Sequence, residues 1–70
     1  MTPTQITRIT RASLLLRDER QRNDFLRMMA CRLADLPSPT DDEVRSAIYF
    51  ALNLRGVAIG REVRRELGAP

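Results

Sequence analysis

The feature that most constrains the fold is a long segment without helix breakers that ends abruptly. Between Thr4 and Leu36 the sequence contains neither glycine nor proline, and it is rich in Leu, Arg, Met, Ala, Glu and Gln, which favour helices. The segment ends at Leu36-Pro37-Ser38-Pro39, where each proline lacks a backbone N–H and disfavours helical geometry in the residue before it. The sequence therefore predicts a long N-terminal helix followed by a Pro-rich turn.

Capping signals mark the start of a helix on each side of this turn. Thr2 is a good N-cap, Pro3 suits the first helical position, and Gln5 completes a capping box. Thr40-Asp41-Asp42-Glu43 is a full S/T-x-x-E capping box whose acidic residues suit the positive end of a helix dipole. We therefore predict an all-α fold, a helical hairpin, as a single domain over residues 1–70.

The end of the second helix is open to two interpretations. Gly56 and Gly60 can each end or kink a helix. The residues from Gly60 to Leu67 are then either a continuation or a short third helix capped by Gly68. The two glycines have G-x-x-x-G spacing, but they lie outside any apolar segment of membrane-spanning length, so a membrane dimerisation motif is not indicated.

The interior of the first helix contains a run without apolar side chains, from Arg17 to Asp24. Either Asn23 or Asp24 caps a separate helix, or one helix continues, with pairs such as Asp18 and Arg22 supporting it at i,i+4 spacing. We favour the continuous, solvent-facing helix. The apolar direction also turns by about 150° across this run, at roughly 100° per residue, so we expect the two halves of the helix to bury against different neighbours. The residues that define the two directions are Ile6, Ile9 and Leu16 before it, and Leu26, Met29, Leu33 and Leu36 after it.

The second helical region carries apolar stripes on two sides, which one hairpin partner cannot cover. A chain of 70 residues buries a small core and often needs a partner subunit for stability. We therefore expect a homodimer that forms a helical bundle. Its predicted interface comprises Ile6, Ile9, Phe50, Leu54 and Val57.

The composition argues against an enzyme, a metal site or a bound cofactor. There is no histidine, and Cys31 is the only cysteine, so a Ser-His or Cys-His pair, a Cys/His zinc site and an intramolecular disulfide are all excluded. No glycine-rich phosphate loop follows a predicted strand. We expect no catalytic residue, no cofactor and no metal.

The charged residues fit two classes of partner. All twelve basic residues are arginine, and the net charge is +3. Arginine binds carboxylates bidentately and is enriched at interface hot spots, so we favour a protein partner. On a continuous helix Arg17, Arg20 and Arg27 share one sector, and we predict that they bind the partner together with Tyr49 at a rim, with Phe50 packed inside.

A small basic DNA- or RNA-binding regulator is the alternative function. The best candidate motif is a helix-turn-helix over Ala51 to Leu67 with Gly56 in the turn. Its register fails, because Arg55, Glu62 and Arg65 occupy positions that the motif needs to be apolar.

No secretory signal and no segment long enough to span a bilayer is apparent. We expect a cytoplasmic protein without a membrane partner; for a phage-encoded protein, this is the host cytoplasm.

The layout of two capped helices around a Pro-rich turn resembles small phage-encoded proteins that bind host factors. In size and arrangement it is similar to the helical-hairpin anti-activators of Mu-like Pseudomonas phages, and anti-CRISPR proteins have a similar size. The resemblance covers the whole chain as layout and rests on no diagnostic motif. It implies a homodimeric inhibitor of a host protein such as a quorum-sensing transcription factor, and it assigns no contact residues.

Overall fold

The computed structural model describes residues 1–68, and the last two residues of the predicted domain lie outside this range. The described chain forms four helices and no strand, which confirms the all-α prediction. The helices are α1 (Pro3–Ser13), α2 (Glu19–Leu33), α3 (Asp41–Leu54) and α4 (Arg61–Glu66).

Both predicted capping boxes are confirmed. At α1 the Thr2 hydroxyl accepts from the Gln5 N–H at 3.2 Å, and the Gln5 Oε1 accepts from the Thr2 N–H at 3.1 Å. At α3 the same two bonds join Thr40 and Glu43, at 3.1 and 3.0 Å. Each box satisfies two backbone groups that a helix start would otherwise leave unpaired.

The prediction of one continuous helix through Arg17 to Asp24 is wrong. The first helix ends at Ser13 and the next begins at Glu19, so Arg17 lies in the connection between them. The N-cap of α2 is Asp18, whose Oδ1 accepts from the Arg20 N–H at 2.8 Å, and neither Asn23 nor Asp24 begins a helix. Only the later part of the polar run, from Glu19 onward, is helical.

The break follows from the turn in apolar direction between the two halves. A straight helix would send Ile9 and Leu16 away from the side on which Phe25 and Met29 lie. Because the chain turns between Leu14 and Asp18, all four side chains are buried in the same core. The expectation that the two halves bury against different neighbours is therefore wrong.

The guanidinium of Arg22 holds the connection closed. Its Nη1 donates to the carbonyl oxygens of Leu16 and Arg17, both at 2.8 Å. These carbonyls lie beyond the last turn of α1, where no helical N–H follows to pair with them. Arg22, a side chain of α2, therefore supplies the hydrogen bonds that two backbone carbonyl groups in the connection before α2 would otherwise lack.

The third helix lies at the centre of the fold, with α1 and α2 both packed against it. The buried apolar residues come from all three of these helices, the α1–α2 connection and the residue that follows α4. They are Ile9, Ala12, Leu16, Phe25, Met29, Leu33, Val44, Ala47, Ile48, Ala51, Leu52 and Leu67.

A Schellman motif ends α3 and decides between the two interpretations of the chain beyond it. The N–H groups of Gly56 and Val57 donate to the carbonyls of Asn53 and Leu52, both at 3.0 Å, and Gly56 has φ +79°. A positive φ is the conformation that glycine adopts without strain. The segment after Gly60 is therefore a short separate helix, α4, followed by Gly68 at φ +75°.

One buried polar side chain ties the start of α1 to the start of α3. The Gln5 Nε2 donates to the Pro39 carbonyl oxygen and to the Asp41 Oδ1, both at 2.9 Å, while its Oε1 serves the capping box of α1. Gln5 is only 3% exposed. Because a buried amide is stabilising only when its bonds are made, this joint fixes where α1 lies along α3.

Replacement of Asp18 tests whether the helix is interrupted between α1 and α2, because an N-cap and a position inside a helix predict opposite changes in the free energy of unfolding. We expect Asp18→Ala to lower the free energy of unfolding by about 1 kcal/mol, because it removes an N-cap. In a continuous helix the same change would raise it by up to about 0.7 kcal/mol, since alanine is the better helix former. Urea denaturation followed by circular dichroism measures the difference. The matched control is Asn23→Ala, an exposed position inside α2 that should not lose stability.

The Gln5 joint gives a second prediction. We expect Gln5→Ala to lower the free energy of unfolding by about 1–3 kcal/mol, because the Pro39 carbonyl then stays buried without its donor. The control is Gln21→Ala, the same substitution at an exposed position, which should change stability by less than about 0.5 kcal/mol. Equal denaturation midpoints for the two variants would contradict a structural role for Gln5.

Candidate interaction surfaces

Two large apolar side chains of α3 face solvent and define one surface, here called the α3 patch. Phe50 is 46% exposed and Leu54 is 59% exposed. They are four residues apart on one helix and so lie on the same side of it. Exposed apolar groups that adjoin one another on a small protein indicate an interaction surface.

Two arginines border the α3 patch. The Arg32 guanidinium lies 4.3 Å from the centroid of the Phe50 ring, and the Arg55 Nη1 lies 3.9 Å from the Met28 Sδ. Stacking on the ring orients the Arg32 side chain across the gap between α2 and α3. The patch therefore has an apolar centre and a cationic edge, the arrangement that protein interfaces commonly show.

The predicted dimer residues do not all reach the surface. Ile9 is 7% exposed and belongs to the core, so it has little surface left for a second copy. Val57 is half-buried and packs against the core after the Schellman motif. Ile6 is 50% exposed on α1, and Phe50 and Leu54 are exposed on α3. Two of the five expected interface residues, Ile9 and Val57, thus pack within one chain, and the other three remain exposed.

The expected orientation of the two adjacent aromatic residues is reversed. Tyr49 is half-buried, and its hydroxyl oxygen is enclosed without a hydrogen-bond partner in the described part of the chain. The Arg64 guanidinium of α4 lies 5.3 Å from the Tyr49 ring centroid. Phe50, expected inside, is the more exposed of the two. A neighbour of the Tyr49 ring thus comes from α4, which the sequence did not identify as a separate helix.

The three arginines predicted to bind a partner do not share one helix face. Arg20 and Arg27 are exposed on α2, seven residues apart, but Arg17 precedes the helix. A surface depression lined by both arginines also contains Glu19, Asn23 and Asp24, and the Arg27 Nη1 lies 4.0 Å from the Asp24 Oδ1. The outer face of α2 therefore mixes both signs of charge.

A basic surface that the sequence analysis missed lies on α1. The first 17 residues include three arginines and no acidic residue. Arg8 and Arg11 line a surface cavity of about 380 Å³ that is shared with the end of α4, here called the α1 basic cavity. Its lining is Pro3, Thr4, Thr7, Arg8, Arg11, Leu67 and Gly68, with no acidic side chain among these described residues. The absence of acidic residues from the first 17 positions is the sequence feature that could have predicted this surface.

A second groove continues from this cavity between α1 and α4. It has a volume of about 550 Å³ and carries both signs of charge, with Arg11 and Arg65 beside Glu62 and Glu66. Leu14, which is 70% exposed, lies at the same groove. Arg11 therefore lines both the α1 basic cavity and a neighbouring groove that contains acidic as well as basic side chains.

Other features of the described chain add no candidate site. Cys31 is exposed and free, and residues 1–68 contain no cluster of three His, Cys, Asp or Glu side chains placed to hold a metal ion. None of the helices described has the length and apolar character needed to cross a membrane.

Comparisons with protein-family models, with curated proteins and with solved structures find no match to the chain.

Proposed function

We propose that this protein is a small non-enzymatic regulator that binds another protein and acts as a homodimer through the α3 patch. The observation that carries the proposal is the exposure of Phe50 and Leu54 on one side of a helix whose other side is buried in the core. Full burial of a Phe or Leu side chain contributes about 1.5–3 kcal/mol, so covering two half-exposed side chains in each copy is a substantial gain for a small domain.

The composition of the α3 patch favours a second copy as its occupant. A twofold interface uses the same surface on both copies, so Phe50 and Leu54 of one copy can cover Phe50 and Leu54 of the other. Glu43 lies seven residues before Phe50 and therefore on the same side of α3, and Arg32 stacks on the Phe50 ring. The patch thus has both signs of charge beside its apolar centre, which a second copy can match.

The partner that we propose for the dimer is a host-cell protein, such as a transcription factor, by the resemblance in layout to small phage-encoded inhibitors. The contact surface proposed for it is the outer face of α2, which carries Arg20 and Arg27. This face lies on a different helix from the α3 patch. Arginine beside carboxylates offers hydrogen bonds of both polarities, which suits a polar protein surface.

The homodimer gives the third prediction. We expect a mass of about 16 kDa by light scattering, twice the 8.0 kDa of the chain, and a melting temperature that rises with protein concentration. Phe50→Asp should reduce the mass to that of one chain while the helical circular dichroism stays, because Phe50 is exposed in the protomer. The matched control is Leu26→Asp on α2, where the leucine is 42% exposed and the dimer should persist.

The dimer proposal fails if the unmutated chain has the mass of a monomer at about 100 µM. At such a concentration even a weak dimer would be populated. It also fails if Leu26→Asp dissociates the protein as effectively as Phe50→Asp does.

The partner surface gives the fourth prediction. We expect Arg20→Glu and Arg27→Glu each to reduce capture of the partner in a pull-down from a nuclease-treated bacterial lysate, without lowering the melting temperature, because exposed charges contribute little to folding. Mass spectrometry identifies the partner, and its band intensity gives the measurement. The matched control is Arg61→Glu, an exposed arginine at the start of α4. Equal losses for all three variants would mean that net charge alone governs capture, which contradicts a defined surface on α2.

A further inference from the structure

Residues 60–68, here called the α4 strap, are joined to the rest of the fold by few contacts. The strap consists of Gly60, the helix α4, Leu67 and Gly68. Five of the six residues of α4 are exposed, and none is buried. Among residues 1–68, no hydrogen bond or ion pair joins the strap to α1, α2 or α3. Its position therefore depends on packing alone.

The packing of the strap is concentrated at one side chain. Leu67 is 1% exposed and belongs to the core, whereas Val63 is only half-buried against it. The Arg64 guanidinium adds a contact at 5.3 Å from the centroid of the Tyr49 ring. Because apolar stabilisation is proportional to the area removed from water, Leu67 contributes most to the closed position.

The helix of the strap has little stability of its own. Isolated helices shorter than about 12–15 residues are marginal in water, and α4 has six residues. Its N-cap is Gly60, which offers no side-chain acceptor, whereas α1, α2 and α3 each begin with a side-chain cap. When Leu67 leaves the core, α4 should therefore unwind as well as detach.

The rest of the fold is closed before the strap begins. The Schellman motif at Gly56 completes α3, and Val57 and Ile59 then pack against the core. Eleven of the twelve buried apolar residues lie outside the strap, and α1, α2 and α3 all pack directly on one another. Loss of the strap thus leaves a core of three helices.

We propose that the α4 strap is a conformational device that opens as a unit, by withdrawal of Leu67, while α1, α2 and α3 stay folded. Segments with few buried contacts open at a lower free energy than the core does. Opening takes Arg64 off the Tyr49 ring and lets water approach this residue. In the closed state the Tyr49 hydroxyl oxygen is enclosed without a partner in the described chain, which weakens that state. The proposal is independent of the proposed function, because the strap contains no residue of the α3 patch or of the outer face of α2.

Hydrogen exchange of the unmutated chain, measured by NMR at several urea concentrations below the unfolding transition, is the first test. We expect the amide hydrogens of residues 64–67 to exchange at least about tenfold faster than those of residues 48–52 in α3. Their exchange should also depend less on urea, because opening of the strap exposes less surface than global unfolding. Equal rates with equal urea dependence in the two segments would overturn the proposal.

Substitution of Leu67 tests whether the three-helix core stays folded without the strap. Leu67→Asp places a charge where the core is apolar, so the strap should remain open. Residues 64–67 should then lose their amide protection, while α3 keeps its protection and denaturation stays cooperative. The matched control is Leu52→Asp, a leucine of α3 that is 0% exposed, which should unfold the chain. Loss of protection in α3 of Leu67→Asp would make Leu67 an integral part of the core and would overturn the proposal.

Tyr49 reports the opening directly. It is the only tyrosine, and the sequence has no tryptophan, so the intrinsic fluorescence comes from this one position. Acrylamide should quench it more strongly in Leu67→Asp than in the unmutated chain, because Arg64 no longer lies over the ring. Leu67→Met, which keeps an apolar side chain of similar volume, should be quenched like the unmutated chain. Equal quenching in all three proteins would show that the strap does not open away from Tyr49 and would also overturn the proposal.

Discussion

Because the chain turns between Leu14 and Asp18, the apolar residues of α1 and α2 can share one core. The apolar side chains before and after this turn point in opposite directions along any straight helix, so a single core can collect both sets only if the helix is broken. The cap at Asp18 and the two bonds from Arg22 satisfy the backbone that the break exposes. Once the break exists, α1 and α2 both pack on α3, and the buried Gln5 side chain fixes the start of α1 against the start of α3.

The same break determines which surfaces remain open. Because α1 covers one side of α3 and α2 another, Ile9 is removed from the surface and most of the apolar stripe on α3 is closed. The side of α3 that carries Phe50 and Leu54 is left partly uncovered. The Schellman motif at Gly56 lets the chain reverse, so that α4 and the residues after it return to α1 and complete the basic cavity. The packing of α1 and α2 on α3 thus leaves the α3 patch exposed, and the return of α4 to α1 forms the α1 basic cavity.

Features that depend on neighbouring residues in the sequence, such as the helix caps, could be predicted. Features that depend on how distant segments pack could not. The capping boxes that begin at Thr2 and Thr40 each depend on two residues three positions apart, so the sequence alone predicted them. Asp18 was missed because an aspartate among arginines fits both a cap and an i,i+4 pair. The cap is worth about 1 kcal/mol and such a pair only about 0.3–0.5 kcal/mol. The 150° turn in apolar direction was the stronger signal, and it pointed to a break. The orientation of Tyr49 and the basic cavity depend on where α4 returns, which no local pattern specifies.

The α3 patch and the charged outer face of α2 depend differently on salt. Burial of Phe50 and Leu54 is an apolar effect that moderate salt changes little. Interactions between exposed charges, such as that of Arg27 with Asp24, are screened as the salt concentration rises. A dimer formed through the α3 patch, as proposed, should therefore persist at salt concentrations that weaken a contact at the outer face of α2.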